Sequence, residues 1–296
     1  MLAFHRHDLH PVHRHLAHDL METTDSSLRN FLARYPRLFV LTGAGISTAS
    51  GIPDYRDRRG EWKRPPPMTY QQFMGSHPAR QRYWARSMVG WQTMAQVRPN
   101  LAHRLLVAAE RQGRIELLVT QNVDGLHEQA GSERTVDLHG RIDRVRCMDC
   151  EARTSRAALQ HRLEDANPDW LGLDASDAPD GDADLDEVDF SAFAIPACEA
   201  CGGVLKPDVV FFGEAVPRER VAQATAAVEA CDAMLVLGSS LMVFSGYRFA
   251  ALAHRIGKPI AAVNQGHTRA DDLLALKVDA DAATALQTAF TEPVSA

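Results

Sequence analysis

Apolar runs that stop at glycine or polar turns recur along the chain and alternate with longer stretches of helical spacing. Residues 37–42 (RLFVLT) form a near-continuous apolar run that ends at Gly43, which predicts a strand covered on both faces. Runs at 115–120 (IELLVT), 135–138, 208–212 (DVVFF), 234–237 (MLVL) and 259–263 predict further strands. Helical stretches lie between them at 101–112, 217–231 and 246–256. The alternation predicts an α/β fold built on a doubly wound parallel sheet.

Two segments break this rhythm. Residues 54–100 are rich in Arg, Pro and aromatics, and residues 141–205 carry two Cys-x-x-Cys pairs. Insertions of this size in a Rossmann-like sheet are expected to form a second lobe over the crevice, here a helical and zinc-ribbon-like one. No repeat of about 20 to 50 residues is present.

Composition narrows the class. The 296 residues are 45% apolar and 24% charged, which excludes a wholly disordered chain and a collagen-like one. No stretch approaches the roughly 18 apolar residues of a membrane span, so no membrane partner is expected. The net charge of -6 hides an asymmetry: residues 163–205 hold twelve acidic side chains and no Lys or Arg, so the rest carries +6. A mildly basic body suits an anionic cofactor or a polyanion.

Four of the five cysteines fall as Cys147-x-x-Cys150 and Cys198-x-x-Cys201, the spacing of a closed tetrahedral thiolate site for one structural zinc ion. Cys231 precedes the apolar run at 234–237 and is expected to be a small buried hydrophobe. Six of the thirteen histidines lie in residues 1–20, which read as an N-terminal arm over 1–25 without the apolar core of a signal peptide.

The candidate chemistry sits where strands end. Gly43-Ala44-Gly45 follows the first strand and would let backbone N–H groups approach a pyrophosphate, with Ser47 or Thr48 as helix cap. Gly51-Ile52-Pro53 then ends that helix early and the next strand begins only at Ile115, which disfavours a hydride-transfer enzyme. Asp54, Tyr55 and Arg56 follow a rigid turn and could belong to a lid that closes on a cofactor. The strand ending at Thr120 leads into Gln121, Asn122 and Asp124, and a later one ends in Leu138-His139-Gly140, which brings a candidate general base to the same sheet edge.

These motifs, taken with residues 206–214 (KPDVVFFGE), Gly238-Ser239-Ser240 and Asn264, occur in an order that resembles the sirtuins over about residues 35–285. The words at 80–86 (RQRYWAR) and 245–249 (SGYRF) resemble class II sirtuins. The resemblance implies NAD-dependent removal of acyl groups from protein lysines: the amide oxygen attacks C1′ of the nicotinamide ribose, nicotinamide leaves, and the acyl group ends on ADP-ribose. It makes His139 the base and gives Asn122 and Asp124 the ribose and the nicotinamide amide, with Gln121 beside the ribose. Gly43, Ala44, Gly45, Ser239 and Ser240 would cradle the pyrophosphate, joined by Thr48, Gly238 and the lid residues Asp54, Tyr55 and Arg56. Asn264, Gln265, Gly266 and Ala282 would hold the adenosine end. Val209, Val210, Phe211, Phe212 and Gly213 would wall the acyl-lysine tunnel, and their backbone could pair with the substrate peptide as an added strand.

Tyr83 and Arg86 lie three apart on an expected helix and could together read an acidic acyl group, or be a core Tyr beside a surface Arg. The 47 residues between the cysteine pairs include alternating acids at 180–189 that only faintly match a calcium loop, since Glu187 stands where its glycine belongs. The expected organisation is the arm (1–25) followed by a catalytic domain over 26–296, with a large lobe over about 26–53, 101–140 and 206–290 and a small lobe over about 54–100 and 141–205. The expected partners are acylated-lysine proteins, not nucleic acid, met by a monomer in the cytoplasm, or in the mitochondrion of a eukaryote. Protein mono-ADP-ribosyl transfer and a non-catalytic zinc module that binds NAD or ADP-ribose are the alternatives.

Overall fold

The computed structural model describes residues 27–171 and 188–290, with the backbone of 176–177 and 183–184. The His-rich arm and most of the acidic run at 180–189 lie outside the described residues. In chain order the elements are helix α1 over 27–34, β1 (Leu38–Thr42), two 3-10 turns (Ala44–Ile46 and Thr48–Ser50), α2 (Tyr70–Gly75), α3 (His77–Met94), α4 (Leu101–Arg111), β2 (Ile115–Thr120) and α5 (Leu126–Ala130). Then come β3 (Thr135–Asp137), β4 (Gly140–Cys147), β5 (Arg153–Ser155), α6 (Arg156–Ala166), the two-residue strands β6 (Ser176–Asp177) and β7 (Ala183–Asp184), and β8 (Leu205–Val209). The chain closes with α7 (Arg218–Ala230), β9 (Ala233–Leu237), α8 (Phe244–Arg255), β10 (Ile260–Val263), β11 (Leu276–Val278) and α9 (Ala282–Phe290).

Six strands form one parallel sheet in the order β11-β10-β9-β1-β2-β3. Every residue of β1, β9 and β10 is buried, because helices cover both faces and leave no polar side to alternate with. One core layer joins Val40, Leu118, Leu235 and Val263 to Leu106 of α4 and Leu286 of α9. The other joins Phe39, Val119, Val236 and Ala262 to Val228 of α7 and Phe249 of α8. Cys231 is fully buried in that second layer, as its apolar setting predicts. Because β1 is flanked by β2 on one side and β9 on the other, the strand order reverses there and opens a crevice at the carboxyl edge.

The two inserted segments share a third core. Phe73 and Trp84 from α2 and α3 pack with Val145, Leu159, Leu163, Phe193 and Leu205 around the cysteine knuckles. The strand expected at 208–212 is corrected here: it spans Leu205–Val209 and runs antiparallel to β4 in a separate sheet ordered β5-β4-β8. The Lys206 ammonium is buried within that strand because it donates to the carbonyls of Pro207 and Val209 and to Glu214 (3.1 Å). Residues 210–212 leave the sheet and turn toward the crevice, held by the Val210 N–H on the His139 carbonyl (2.7 Å).

Candidate active site

Three glycines fix the floor of the crevice. The Gly43 N–H donates to the Leu237 carbonyl and the Gly45 N–H to the Gly238 carbonyl (2.8 Å), so the turns after β1 and β9 lie against each other. A Cβ on Gly238, whose φ is +59°, would meet the Ile46 nitrogen at 2.4 Å, and one on Gly43 would meet Ser239 Cβ at 2.7 Å. Only glycine fits so close an approach. The helix expected after Gly45 is instead a pair of 3-10 turns, with Gly51 (φ +93°) ending the second. Ser47 caps neither; its hydroxyl donates to Asp124 (2.7 Å), and that of Thr48 donates to the Gly45 carbonyl.

The loop after β2 is built onto this floor. The Asn122 side-chain amide donates to the Gly43 carbonyl (3.1 Å) and to Ser47 Oγ (3.0 Å), and that of Gln121 donates to Ser239 Oγ (2.8 Å). Asp124 also accepts the Leu126 N–H, and burial raises its pKa against those hydrogen bonds. From below, the Arg141 guanidinium underlies Gly125 and pairs with Glu128 and Asp143.

His139 stands two residues beyond β3. Its Nδ1 lies 2.8 Å from the Gln121 carbonyl and its Nε2 2.8 Å from Ser245 Oγ. Since a carbonyl can only accept, Nδ1 carries the proton and Nε2 the lone pair. Burial lowers the pKa of this imidazole, and the Arg220 charge adds to that shift. The neutral ring is therefore the resting form at neutral pH, as a general base requires.

Over the crevice the lid segment folds back on itself. The Lys63 N–H bonds the Tyr55 carbonyl, Lys63 and Asp54 form an ion pair, and the Arg56 guanidinium lies 3.8 Å from the Trp62 ring centroid while donating to the Gly60 carbonyl. Trp62 meets Phe212 edge-on at 5.7 Å, so the lid touches the wall formed by residues 209–213. The Phe212 carbonyl already accepts the Tyr70 N–H (2.9 Å).

The crevice encloses about 640 Å³. It gathers Gly43, Ala44, Gly45, Asp54, Tyr55, Arg56, Gln121, Asn122, His139, the segment Val209–Gly213, Gly238, Ser239, Ser240, Asn264 and Gln265 from strand ends far apart in the chain. Tyr83 also lines it, among Phe73 and Phe211 at centroid distances of 5.3 and 5.4 Å. Thr48, Asp124, Arg86, Gly266 and Ala282 are not part of its lining. Gly266 (φ +86°) instead packs on the backbone of Arg58 in the lid, and Ala282 is buried at the start of α9. Ser245, Arg248, Trp62 and Met68 line the cavity without having been singled out as site residues. The word SGYRF at 245–249 was the one available signal for the first two.

The four cysteine sulfurs lie within 4.8 Å of one another, with Cys147 and Cys201 3.5 Å apart and Cys150 and Cys198 3.8 Å apart. Zinc–thiolate bonds of about 2.3 Å give a tetrahedral edge of about 3.8 Å, so the donor set fits zinc. Four thiolates leave no open position for water, which makes the site structural.

Behind the glycine floor lie two more imidazoles. His103 and His127 are fully buried with centroids 4.7 Å apart, and among the described residues His103 Nε2 and His127 Nδ1 have no hydrogen-bond partner. Burial holds His103 down at about 4 and His127 well below its ordinary value. Above pH ~6.5 both are neutral whether folded or not; below it the unfolded chain takes up protons that the native state refuses, so stability falls as pH falls. Each histidine contributes a slope of up to about 1.4 kcal/mol per pH unit. Urea denaturation between pH 7.5 and 5 should show a shallower loss in the His103→Gln, His127→Gln double variant than in the wild type. Equal slopes would refute this account.

A parallel sheet that opens its carboxyl edge on an imidazole base and a pair of glycine turns belongs to the class of dinucleotide-binding α/β proteins. A model of the Sir2 family matches residues 43–245. A Bordetella bronchiseptica protein named NAD-dependent protein deacetylase is 63% identical over 252 residues, covering 85% of this chain and 92% of its own. A Xanthomonas campestris protein of the same name is 62% identical over 263 residues, covering 89% and 90%. A solved structure described as Sir2 with a p53 peptide and NAD+ matches with a TM-score of 0.69 at 32% identity, over 88% of this chain and 93% of that one. The chain belongs to the Sir2 family, the sirtuins.

Proposed function

We propose that the protein is an NAD-dependent protein-lysine deacylase that transfers the acyl group to ADP-ribose and releases nicotinamide and free lysine. The observation that carries this reading is His139, neutral and with its Nε2 lone pair turned to the cavity that the glycine turns, Asn122 and the 209–213 wall share. NAD supplies the electrophilic C1′ when bound. The backbone of Gly43–Gly45 with Ser239 and Ser240 receives the pyrophosphate, Asn264 and Gln265 the adenosine side, and Gln121 and Asn122 the ribose. Asp124 holds the Ser47 hydroxyl and so keeps Asn122 in place. The lid from Asp54 to Lys63 would exclude water from the C1′ that bound NAD presents.

We place the protein in the cytoplasm, or in the mitochondrion of a eukaryote, acting on acylated proteins without nucleic acid; that one chain supplies every residue lining the cavity supports a monomer. Among the described residues no helix is long and apolar enough to cross a membrane. The division into a large and a small lobe is supported by the separate three-stranded sheet and its own core.

The test is incubation of the protein with NAD and a panel of acetyl-, lipoyl- and glutaryl-lysine peptides, read by mass spectrometry. O-acyl-ADP-ribose supports the proposal; mass added to protein would indicate ADP-ribosyl transfer instead, and absence of nicotinamide release a binding module. Within the panel, the aromatic surroundings of Tyr83 and the position of Arg86 outside the lining favour neutral acyl chains. Moving a carboxylate among these rings costs more than moving an acetyl methyl, so acetyl peptides should exceed glutaryl peptides by about tenfold or more in kcat/KM. Arg86→Ala should leave that ratio unchanged. Faster glutaryl turnover that collapses in Arg86→Ala would show that Arg86 reads the acyl group after all.

A further inference from the structure

The lone pair of His139 does not face the cavity bare. With Nδ1–H committed to the Gln121 carbonyl, the only role left for the Ser245 hydroxyl, 2.8 Å from Nε2, is to donate to it. Ser245 is the second residue of α8, and both side chains line the cavity. Its place is set by the neighbouring Gly246: a Cβ there would meet Gln121 Oε1 at 2.3 Å, so the start of α8 is pressed against the residue whose carbonyl orients the imidazole.

We propose that Ser245 is a further catalytic residue, passing the proton of the substrate's ribose hydroxyl to His139. This rests on the reading of His139 as the base. In one concerted step the ribose O–H bond breaks and its proton bonds to Ser245 Oγ, while the proton already on Oγ passes to Nε2. The ribose oxygen keeps the electron pair and bonds with it to the acyl carbon, while the carbon–nitrogen π pair of the acyl-lysine linkage moves onto the lysine nitrogen. Ser245 ends as a neutral hydroxyl, and His139 ends as an imidazolium whose Nδ1–H still rests on the Gln121 carbonyl. The first-turn N–H groups of the twelve-residue helix α8 and its positive dipole end favour the negative charge that develops on Oγ during the transfer. The Ser245 hydrogen bond also stabilises the neutral ring, so its loss should raise the pKa of His139.

The experiment compares Ser245→Ala, Ser245→Thr and His139→Ala in the full chain, after circular dichroism and thermal melting show each to be folded. Two rates are read: deacylation of an acetyl-lysine peptide, and exchange of labelled nicotinamide into NAD, which precedes the base-dependent step. Ser245→Ala should lower the ratio of deacylation to exchange about tenfold or more and move the acid limb of kcat/KM to higher pH, and Ser245→Thr should restore both. A wild-type ratio and unchanged acid limb in Ser245→Ala, with His139→Ala inactive, would overturn the relay and leave the base in place. Equal defects in Ser245→Ala and Ser245→Thr would also overturn it, since shape and not the hydroxyl would then matter. Wild-type deacylation by His139→Ala would overturn the reading of the base and the relay together.

Discussion

His139→Ala should abolish deacylation coupled to nicotinamide release while leaving the fold intact. General base catalysis contributes about 10²–10⁴ in rate, and among the described residues no other imidazole lines the cavity to replace it. The fold should survive because the side chain makes only the bonds to Gln121 and Ser245, while the structural link from this residue, its carbonyl on the Val210 N–H, belongs to the backbone and remains. In the wild type, burial lowers the pKa of His139, so the base stays deprotonated through neutral pH and deacylation should fall only below the ordinary histidine pKa of about 6.5. Turnover near the wild-type value in a folded His139→Ala protein, measured as O-acyl-ADP-ribose formed, would defeat the assignment.

The parallel sheet was legible in the sequence for a physical reason: strands covered on both faces are largely apolar, as β1, β9 and β10 are, and β2 departs from this mainly at the half-buried Glu116. The strands of the small lobe were not. β4 (GRIDRVRC) presents Arg141, Arg144 and Arg146, whose charges are met by Asp143 in the same strand, by Glu128 in α5 and by Glu151 in the adjoining turn, so it shows no apolar run. β8 contains Lys206 and Pro207, which argue against a strand until the acceptors around Lys206 are known. The apolar signal at 208–212 is real but serves the cavity wall, which shifted the expected strand toward the wrong sheet. The glycine turns were legible because close backbone approach excludes every other residue. Ser245 was legible only as part of a word, because its bond to His139 joins positions 106 residues apart.

Zinc removal should unfold the small lobe. Four thiolates at tetrahedral spacing join a knuckle between β4 and β5 to one just before β8, and Cys147 and Cys198 are themselves buried in the core that holds Trp84, Leu163 and Phe211. A structural zinc contributes on the order of 10 kcal/mol or more to folding, which exceeds what this small core can supply on its own. The chain should therefore carry one zinc per molecule by elemental analysis. A strong chelator should release that metal together with a loss of near-ultraviolet dichroism from Trp84 and Trp91 while much of the parallel sheet's far-ultraviolet signal persists. Activity should fall as an indirect consequence, because β8 carries the 209–213 wall and Val210 ties it to His139. Replacing Cys150 with Ser should produce the same state without a chelator. Full deacylase activity in protein shown to be free of zinc would contradict the structural role, and a chelator that stops catalysis while leaving the small lobe's dichroism intact would point to a metal with an open position instead.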